Sequence, residues 1–307
     1  MMVSGVVFLD KPLGWTSRRA VNEVIRIFSV AGKKRIKAGH AGTLDPLATG
    51  MLPILLGDAT RFSELGLNAE KRYKVTFDLS YQTDTLDCEG EVIAGFDNQI
   101  NQQQLLEVLG QFKGDIKQIP PIYSAIRIDG KRAHAMARKG EAVELKARDV
   151  CIHALELLSF EFPYVSLDVS CSKGTYIRSL ARDIGEKLSM GGCVTALRRT
   201  STGGWSDSMF VSEESLRQDK EQAVLPLRQW LRDFPSCELN NDEAWRFLNG
   251  QRIQLEKKEE GSVAVVCGEL LLGTAELKPG MRRMVLHPLR ILPSSQHIFT
   301  SKKDSKQ

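Results

Sequence analysis

The chain has 307 residues, 42% of them hydrophobic and 26% charged, and a formal net charge of +4. This size and composition predict a globular protein with two domains and a substantial core. No apolar run approaches the roughly 20 residues of a membrane-spanning helix, and the first residues lack the pattern of a secretory signal. Six scattered cysteines without a Cys-x-x-Cys pair predict free thiols in a reducing cytoplasm, and no disulfide framework or metal site. The mild positive charge permits a polyanionic partner without requiring one.

The first 235 residues alternate irregularly between predicted strands and helices. A short buried strand at 5–9 is followed by a helix capped by Thr16 or Ser17, with apolar residues on one face. Further strands are predicted at 73–81, 91–93, 123–128, 150–157, 165–171 and 193–197, and further helices at 51–62, 105–112 and 177–188. This arrangement indicates an α+β domain, with a mixed, largely antiparallel sheet and packed helices.

A domain boundary is expected near Phe234-Pro235-Ser236. Beyond it, a short helix around 243–249 and several short strands predict a small β-rich, barrel-like module. The polar residues after 293 predict a disordered tail. The three predicted parts are residues 1–235, 236–293 and 294–307.

The segment from Gly39 to Gly50 reads GHAGTLDPLATG. Its three glycines and one proline interrupt helices and central strands alike. The residue before a proline favours extended geometry, so Asp45 is held in a defined backbone shape. A carboxylate on such a loop, near His40, is typical of a functional site. From these residues alone, an ordinary Asp-Pro turn remains the alternative interpretation.

These twelve residues resemble the signature of the TruB family of pseudouridine synthases, which isomerise a uridine in the T-loop of tRNA, at position 55 in bacterial members. The segments Lys173–Arg178, Gln118–Ala125 and Leu197–Thr200 resemble further motifs of the family's catalytic domain. Leu248–Gln251 resembles, more weakly, the start of the C-terminal PUA module of bacterial members. The resemblance implies a pseudouridine synthase fold with a PUA-like RNA-binding module, tRNA as partner, and neither a cofactor nor a metal.

The resemblance also implies roles for single residues. Asp45 matches the essential catalytic aspartate, and Arg178 matches the arginine that pairs with it, for which a two-bond contact is possible. Tyr73 matches the active-site tyrosine that stacks on the target base. His40 matches the residue that enters the stack vacated by the flipped uridine. The remaining expected site residues are Tyr176 and Leu197, lining the uracil pocket, and Lys11, supporting the site.

Each of these residues also has an ordinary structural interpretation. Tyr73 begins an apolar strand face, and Leu197 lies on a short apolar strand, so both fit a core. Arg178 begins an amphipathic helix and fits a solvated ion pair. A single histidine such as His40 is more often structural than functional.

Pseudouridine formation breaks the bond between ribose C1′ and base N1, turns the base and rejoins it through C5. Asp45 can attack C1′, remove the C2′ proton on a glycal route or add to the base, and the sequence leaves these routes open. A competing N-glycosidase function needs a water and usually a second carboxylate, which the signature lacks. A non-catalytic tRNA-binding or tRNA-folding module would tolerate the loss of Asp45.

Basic residues cluster at 33–37, 131–139 and 198–199, near the site motifs, and predict phosphate contacts with RNA. Relatives in the family that act with guide RNA carry partner proteins. A bacterial-type chain is instead expected to act as a monomer, without guide RNA or protein partners.

Overall fold

The computed structural model describes residues 3–29, 35–124, 127–128, 131–132, 145–256, 259–281 and 283–304. The strands are β1 (Gly5–Lys11), β2 (Ala38–His40), β3 (Ala48–Leu56), β4 (Lys71–Asp78), β5 (Tyr81–Thr83), β6 (Val92–Gly95), β7 (Gly114–Gln118), β8 (Arg127–Ile128), β9 (Lys131–Arg132), β10 (Arg148–Glu161), β11 (Tyr164–Cys171), β12 (Cys193–Thr202), β13 (Leu225–Pro226), β14 (Ser236–Glu238), β15 (Ile253–Leu255), β16 (Gly261–Cys267), β17 (Leu270–Pro279) and β18 (Met284–Ile291). The helices are α1 (Ser17–Phe28), α2 (Ser63–Asn68), α3 (Gln102–Gly110), α4 (Ile177–Lys187), α5 (Glu213–Asp219), α6 (Leu227–Trp230), α7 (Asn241–Leu248) and α8 (Pro293–Asp304). Within the described residues, none of these helices combines the length and apolarity needed to cross a membrane.

A nine-stranded sheet forms the main framework, in the order β13-β1-β3-β12-β4-β11-β10-β7, with β2 added alongside β3. Its described pairs are antiparallel apart from β3 and β12, which run parallel with Ala48 opposite Leu197 and Gly50 opposite Arg199. The predicted α+β fold with a largely antiparallel sheet is therefore confirmed. The parallel pair matters for the site, because it places Arg199 beside the start of β3.

The C-terminal module is a five-stranded sheet in the order β14-β16-β17-β18-β15, with α7 packed on it. This confirms the predicted small β-rich module. Its residues Val266 and Leu271 join Phe8 of β1 and Trp230 of α6 in one apolar cluster. The module therefore docks on the main sheet through buried apolar surface, a contact that stabilises the pair of sheets. A separate cluster, which includes α1 and α4, covers the face of the sheet that bears Tyr73.

Two predicted elements are wrong. The helix expected at 51–62 is β3 up to Leu56, followed by a 3-10 helix at Gly57–Phe62. Every residue from Met51 to Leu56 is buried, and a continuous apolar run of this kind carries no period that separates a buried strand from a helix. The strand expected at 123–128 is reduced to β8, because residues 122–124 are bends and 125–126 lie outside the described residues.

The disordered tail expected at 294–307 is also wrong as far as the structure describes it, because α8 spans Pro293–Asp304. The start of this helix is tied down by two hydrogen bonds. The Ser294 amide donates to Asp58 Oδ2 (3.0 Å), and Ser295 Oγ donates to the Leu271 carbonyl (2.5 Å). A polar composition did not reveal these contacts, since they depend on residues far away in the sequence.

Substitution of Gly50 tests how tightly β3 is fitted to β12. Gly50 has φ +94°, and an added Cβ would lie 2.2 Å from the Arg199 carbonyl oxygen. We expect Gly50→Ala to lower the free energy of unfolding by at least about 1–3 kcal/mol, because alanine is strained at this φ and its Cβ clashes with the Arg199 carbonyl. Urea denaturation measures this. Gly39→Ala is the control, because nothing lies within 4 Å of its added Cβ. Equal stability of the two variants would contradict the fitted packing.

Candidate active site

A cleft of about 270 Å³ opens where the loop between β2 and β3 meets β4, β12 and the start of α4. The predicted site residues among its lining are Asp45, Tyr73, Tyr176, Arg178 and Leu197. The fold thus brings together residues from four separate segments of the sequence. His40 and Lys11 are not among the described lining residues.

Arg178 is the buried centre of the cleft, with 5% of its side chain exposed. Its Nη2 lies 3.0 Å from Asp45 Oδ2, and its Nη1 lies 3.1 Å from Asp87 Oδ2. The same two nitrogens donate to the carbonyls of Tyr123 (2.8 Å) and Thr85 (2.7 Å). The expected pairing of Arg178 with Asp45 is present, but as a single contact rather than a two-bond fork, because the guanidinium is shared between two carboxylates.

The two carboxylates on Arg178 differ in exposure. The Asp87 side chain is 5% exposed, whereas the Asp45 side chain is 35% exposed and faces the cleft. Asp87 is also tied locally, since its Oδ1 accepts a hydrogen bond from Thr85 Oγ1 (2.6 Å). Asp87 therefore anchors Arg178, and Asp45 is the carboxylate that a substrate can reach.

Gln118 fixes the turn that places Arg178. Its amide group binds Tyr176 twice: the Tyr176 N–H donates to Gln118 Oε1 (2.8 Å), and Gln118 Nε2 donates to the Tyr176 carbonyl (3.1 Å). Tyr176 is the residue directly before α4. A buried side chain that satisfies both backbone groups at this position sets the direction in which α4 leaves the loop.

The loop that carries Asp45 is held by side chains from other elements. Ser17 Oγ accepts a hydrogen bond from the Leu44 N–H (2.8 Å) and donates one to the Leu44 carbonyl (2.9 Å). On the other side of Asp45, the Pro46 carbonyl accepts from Lys11 Nζ (3.3 Å) and from the Gly14 N–H (2.9 Å). These contacts fix the backbone immediately before and after the carboxylate.

Tyr73 is buried at the base of the cleft, with 8% exposure, and burial raises the pKa of its phenol. The phenol therefore remains protonated at neutral pH and can donate a hydrogen bond. Tyr176 is half-buried, and burial raises the pKa of its phenol too. Leu197 is 7% exposed and contributes an apolar wall. Tyr73 and Leu197 thus pack in the core and also border the cleft, which leaves their expected contacts with a base as predictions.

His40 lies on β2, opposite Ile54 of β3. Burial lowers the pKa of its imidazole, and the nearby charges of Arg199 and Arg18 lower it further. His40 is therefore neutral at pH 7. Its Nδ1 is buried and has no hydrogen-bond partner among the described residues.

Lys11 supports the site without exposure to solvent. Its Nζ donates to the carbonyls of Pro12 (3.0 Å), Trp15 (2.6 Å) and Pro46 (3.3 Å). Burial lowers its pKa to about 8, against the opposing effect of the Asp45 charge. Lys11 thus joins the first loop of the chain to the loop of Asp45, as its expected supporting position requires.

Several site residues were missed by sequence reasoning. Asp87 and Ser17 carry no spacing signal, because their partners lie far away in the chain. Gln118 and Arg199 fall in segments that resemble family motifs, so those motifs pointed to the right regions. Of the basic residues at 198–199, Arg199 is 1% exposed and therefore unsuited to the expected phosphate contact. Arg198 binds Asp10 through two hydrogen bonds of 2.8 and 2.9 Å and is 40% exposed, so a phosphate contact there stays a prediction.

The other two basic clusters are only partly visible. Of residues 33–37, the structure describes 35–37, and of residues 131–139 it describes the backbone of β9 alone. In the part of the chain that the structure describes, no three His, Cys, Asp or Glu side chains are grouped so as to bind a metal ion.

Comparison with known proteins agrees with this geometry. Residues 27–177 match the family model described as TruB family pseudouridylate synthase (N terminal domain). Residues 178–234 match the tRNA pseudouridylate synthase B C-terminal domain, and residues 235–292 match Pseudouridine synthase II TruB, C-terminal. A chain in a crystal structure of a Cbf5-Nop10-Gar1 complex shares the fold, with a TM-score of 0.71 and 23% identity, over 94% of this chain and 84% of that chain.

Close relatives extend along almost the whole chain. The tRNA pseudouridine synthase B of Azoarcus sp. (strain BH72) is 41% identical over 286 residues, or 92% of this chain and 94% of the relative. The protein of the same name from Ralstonia pickettii (strain 12J) is 43% identical over 262 residues, or 83% of this chain and 81% of the relative. Fold and site together define a pseudouridine synthase. More particularly, the chain belongs to the TruB family.

The lowered pKa of Lys11 predicts a pH dependence of stability. Below about pH 8, Lys11 is protonated in both the folded and unfolded states, so it contributes no pH dependence to the stability. Between about 8 and its ordinary value of 10.5, the folded state releases the proton first, so stability rises with pH. The slope from one group is at most about 1.4 kcal/mol per pH unit.

Urea unfolding from pH 7 to 10.5 measures this dependence. Lys11→Met lacks this titrating group, so we expect its free energy of unfolding not to show the rise above pH 8 that Lys11 gives to wild type. Wild type should therefore gain stability relative to the variant as the pH is raised above about 8. Lys117→Met, on the exposed side of β7, is the control. A difference between wild type and Lys11→Met that stays constant over this pH range would contradict the assignment.

Proposed function

We propose that this protein converts a uridine in the T-loop of tRNA, position 55, into pseudouridine, with Asp45 as the catalytic carboxylate acting on a flipped-out base. The observation that carries the proposal is the partly exposed Asp45 carboxylate, 3.0 Å from a buried arginine, in a cleft that Tyr73, Tyr176 and Leu197 also line. Family membership and the named activity of relatives such as that of Azoarcus support it.

The cleft offers the contacts that an extruded pyrimidine needs. Tyr73 presents an aromatic ring for stacking, worth roughly 1–3 kcal/mol per base, and a protonated phenol. Tyr176 and Leu197 supply the remaining walls of the uracil pocket. His40, a neutral aromatic ring, is suited to enter the space that the flipped uridine leaves in the RNA stack, which offsets part of the extrusion cost.

The reaction is an isomerisation, so its atoms balance without a redox partner or added water. The C1′–N1 bond breaks, the base turns, the C1′–C5 bond forms, and the C5 proton is exchanged for one at N1. Arg178 keeps its positive charge throughout and neutralises the Asp45 carboxylate when that carboxylate is ionised. Attack at C1′, removal of the C2′ proton and addition to the base all use Asp45 in this ionised form.

The proposal extends to organisation and partners. We assign residues 1–235 to catalysis and 236–293 to an RNA-binding module, supported by the end of the large sheet at β13 and the start of the small sheet at β14. The enzyme acts alone, as a monomer without guide RNA or protein partners, as the resemblance to bacterial members implies. We also expect the protein to act in the cytoplasm, because that is where its proposed tRNA substrate is found.

The competing functions fit the site less well. A glycosidase needs a second carboxylate that activates water, but Asp87 is 5% exposed and bound to Arg178, and Asp45 is the one carboxylate among the described residues that line the cleft. A purely tRNA-binding or tRNA-folding module does not require a partly exposed carboxylate paired with a buried arginine, which is the arrangement of Asp45 and Arg178. Folding of tRNA alongside catalysis remains compatible with the site.

Replacement of Asp45 tests the proposed reaction. We expect Asp45→Asn to bind a synthetic T-arm stem-loop normally but to lower the rate of pseudouridine formation by at least about 10²–10⁴-fold. The RNA is digested to nucleosides and pseudouridine is resolved by chromatography, because the product has the mass of uridine. Asp233→Asn, with a side chain 88% exposed, is the control. Pseudouridine formation by Asp45→Asn at the wild-type rate would exclude the proposed role, and free uracil would indicate a glycosidase.

Replacement of Asp87 tests how Arg178 is anchored. Asp87→Asn keeps the size of the side chain but removes the buried negative charge beside Arg178. We expect the single-turnover rate to fall on the order of 10²-fold through misplacement of Arg178 and Asp45, with RNA affinity within about threefold of wild type. Asp168→Asn is the matched control, because Asp168 is a buried partner of Arg72 (2.6 Å) that does not line the cleft. An equal loss in both variants would assign the effect to general destabilisation.

A further inference from the structure

Arg199 on β12 is a fully buried cation with no role in the reaction described so far. It is 1% exposed, and no ion pair among the described residues includes it. Its guanidinium binds backbone carbonyls instead. Nε donates to Met51 of β3 (2.7 Å), Nη2 donates to Gly42 (3.2 Å), and Nη1 reaches Thr43 (3.5 Å).

These acceptors lie on both sides of Asp45 in the sequence. Gly42 and Thr43 precede Asp45 in the loop, and Met51 follows it in β3. A single guanidinium therefore bridges the two ends of the segment that carries the carboxylate. A buried guanidinium without a carboxylate partner is costly unless its donors are satisfied, so the bridging geometry is strongly preferred.

The glycines of the signature are fitted to this arginine. An added Cβ at Gly42 would lie 3.3 Å from Arg199 Nη1, and one at Gly50 would lie 2.2 Å from the Arg199 carbonyl oxygen. Both glycines also have positive φ, at +132° and +94°. The close approach of loop and strand to Arg199 thus depends on two positions that lack a side chain.

Arg199 also contacts the second functional group of the cleft. It lies directly opposite Tyr73 in the register of β12 and β4. Burial raises the pKa of the Tyr73 phenol, and the nearby Arg199 charge acts in the opposite direction. Arg199 thus binds the segment that carries Asp45 and is the strand partner of the residue whose ring is proposed to stack on the base.

We propose that Arg199 is a positioning residue that sets the placement of Asp45 relative to Tyr73. This role rests on the proposed function, because it matters for activity only if Asp45 is the catalytic carboxylate. Arg199 acts through the loop backbone and its pairing with β4 rather than on the reacting atoms. A lysine cannot replace it, since one ammonium cannot bind the β3 carbonyl and the loop carbonyls together as a planar fork does.

The test compares Arg199→Lys with Arg198→Met, which alters the neighbouring arginine bound to Asp10. Three quantities are measured for each variant and for wild type: affinity for a T-arm stem-loop, the single-turnover rate of pseudouridine formation, and amide hydrogen exchange in residues 41–48. We expect Arg199→Lys to bind RNA within about threefold of wild type, to lose activity on the order of 10²-fold, and to exchange faster at 41–48. Arg198→Met should match wild type in the rate and in the exchange.

The outcomes separate this proposal from the proposed function. Wild-type activity or unchanged exchange at 41–48 in Arg199→Lys would overturn the positioning role. An equal loss of rate, RNA affinity and global exchange protection would also overturn it, as a merely structural role. Absence of pseudouridine from wild type itself would refute the proposed function, while the exchange data would still test the positioning. If Arg199→Lys does not fold, Gly42→Ala perturbs the same contact with Arg199 intact, and the same results are expected.

Discussion

The buried guanidinium of Arg178 is the interaction on which the rest of the site depends. Transfer of an arginine into the protein interior is unfavourable unless its donors and its charge are matched. Here two carboxylates and two backbone carbonyls provide the match, and they come from the loop of Asp45, the segment 85–87 and Tyr123. The segments must therefore meet at one point, so Arg178 fixes their relative positions as well as the charge next to Asp45.

The position of Asp45 is defined by contacts to its backbone more than to its side chain. Lys11, Ser17 and Arg199 come from three separate elements, and each binds carbonyl or amide groups within four residues of Asp45. The parallel pairing of β3 with β12 makes the Arg199 contacts possible, because it places Arg199 opposite Gly50, close to the loop of Asp45. If Asp45 is the catalytic carboxylate, as proposed, this fixed backbone means that the loop need not be reordered during the reaction.

The sequence predicted those parts of the molecule whose signal is local. Period-two alternation identified β4 and β11, and three motifs placed Asp45, Tyr73 and Arg178 in one cleft. The sequence pattern did not identify β3, because its continuously buried residues show no polar–apolar alternation. It also did not identify α8, whose first residues are hydrogen-bonded to Asp58 and Leu271. Asp87 and Ser17 were missed for the same reason as α8: their importance lies in partners that only the folded chain brings near.

The basic residues of the site show why charge alone is a poor guide to RNA contacts. Arg199 belongs to a basic cluster that predicted phosphate contacts, yet its donors, like those of Lys11, are used by backbone carbonyls, and neither side chain is exposed. Arg198 is bound to Asp10, and Arg178 is bound to two carboxylates. These cations beside Asp45 therefore organise the protein, because their donors are used by carbonyls and carboxylates of the chain itself. Under the proposed function, phosphate binding then depends mainly on basic residues that are exposed at the surface.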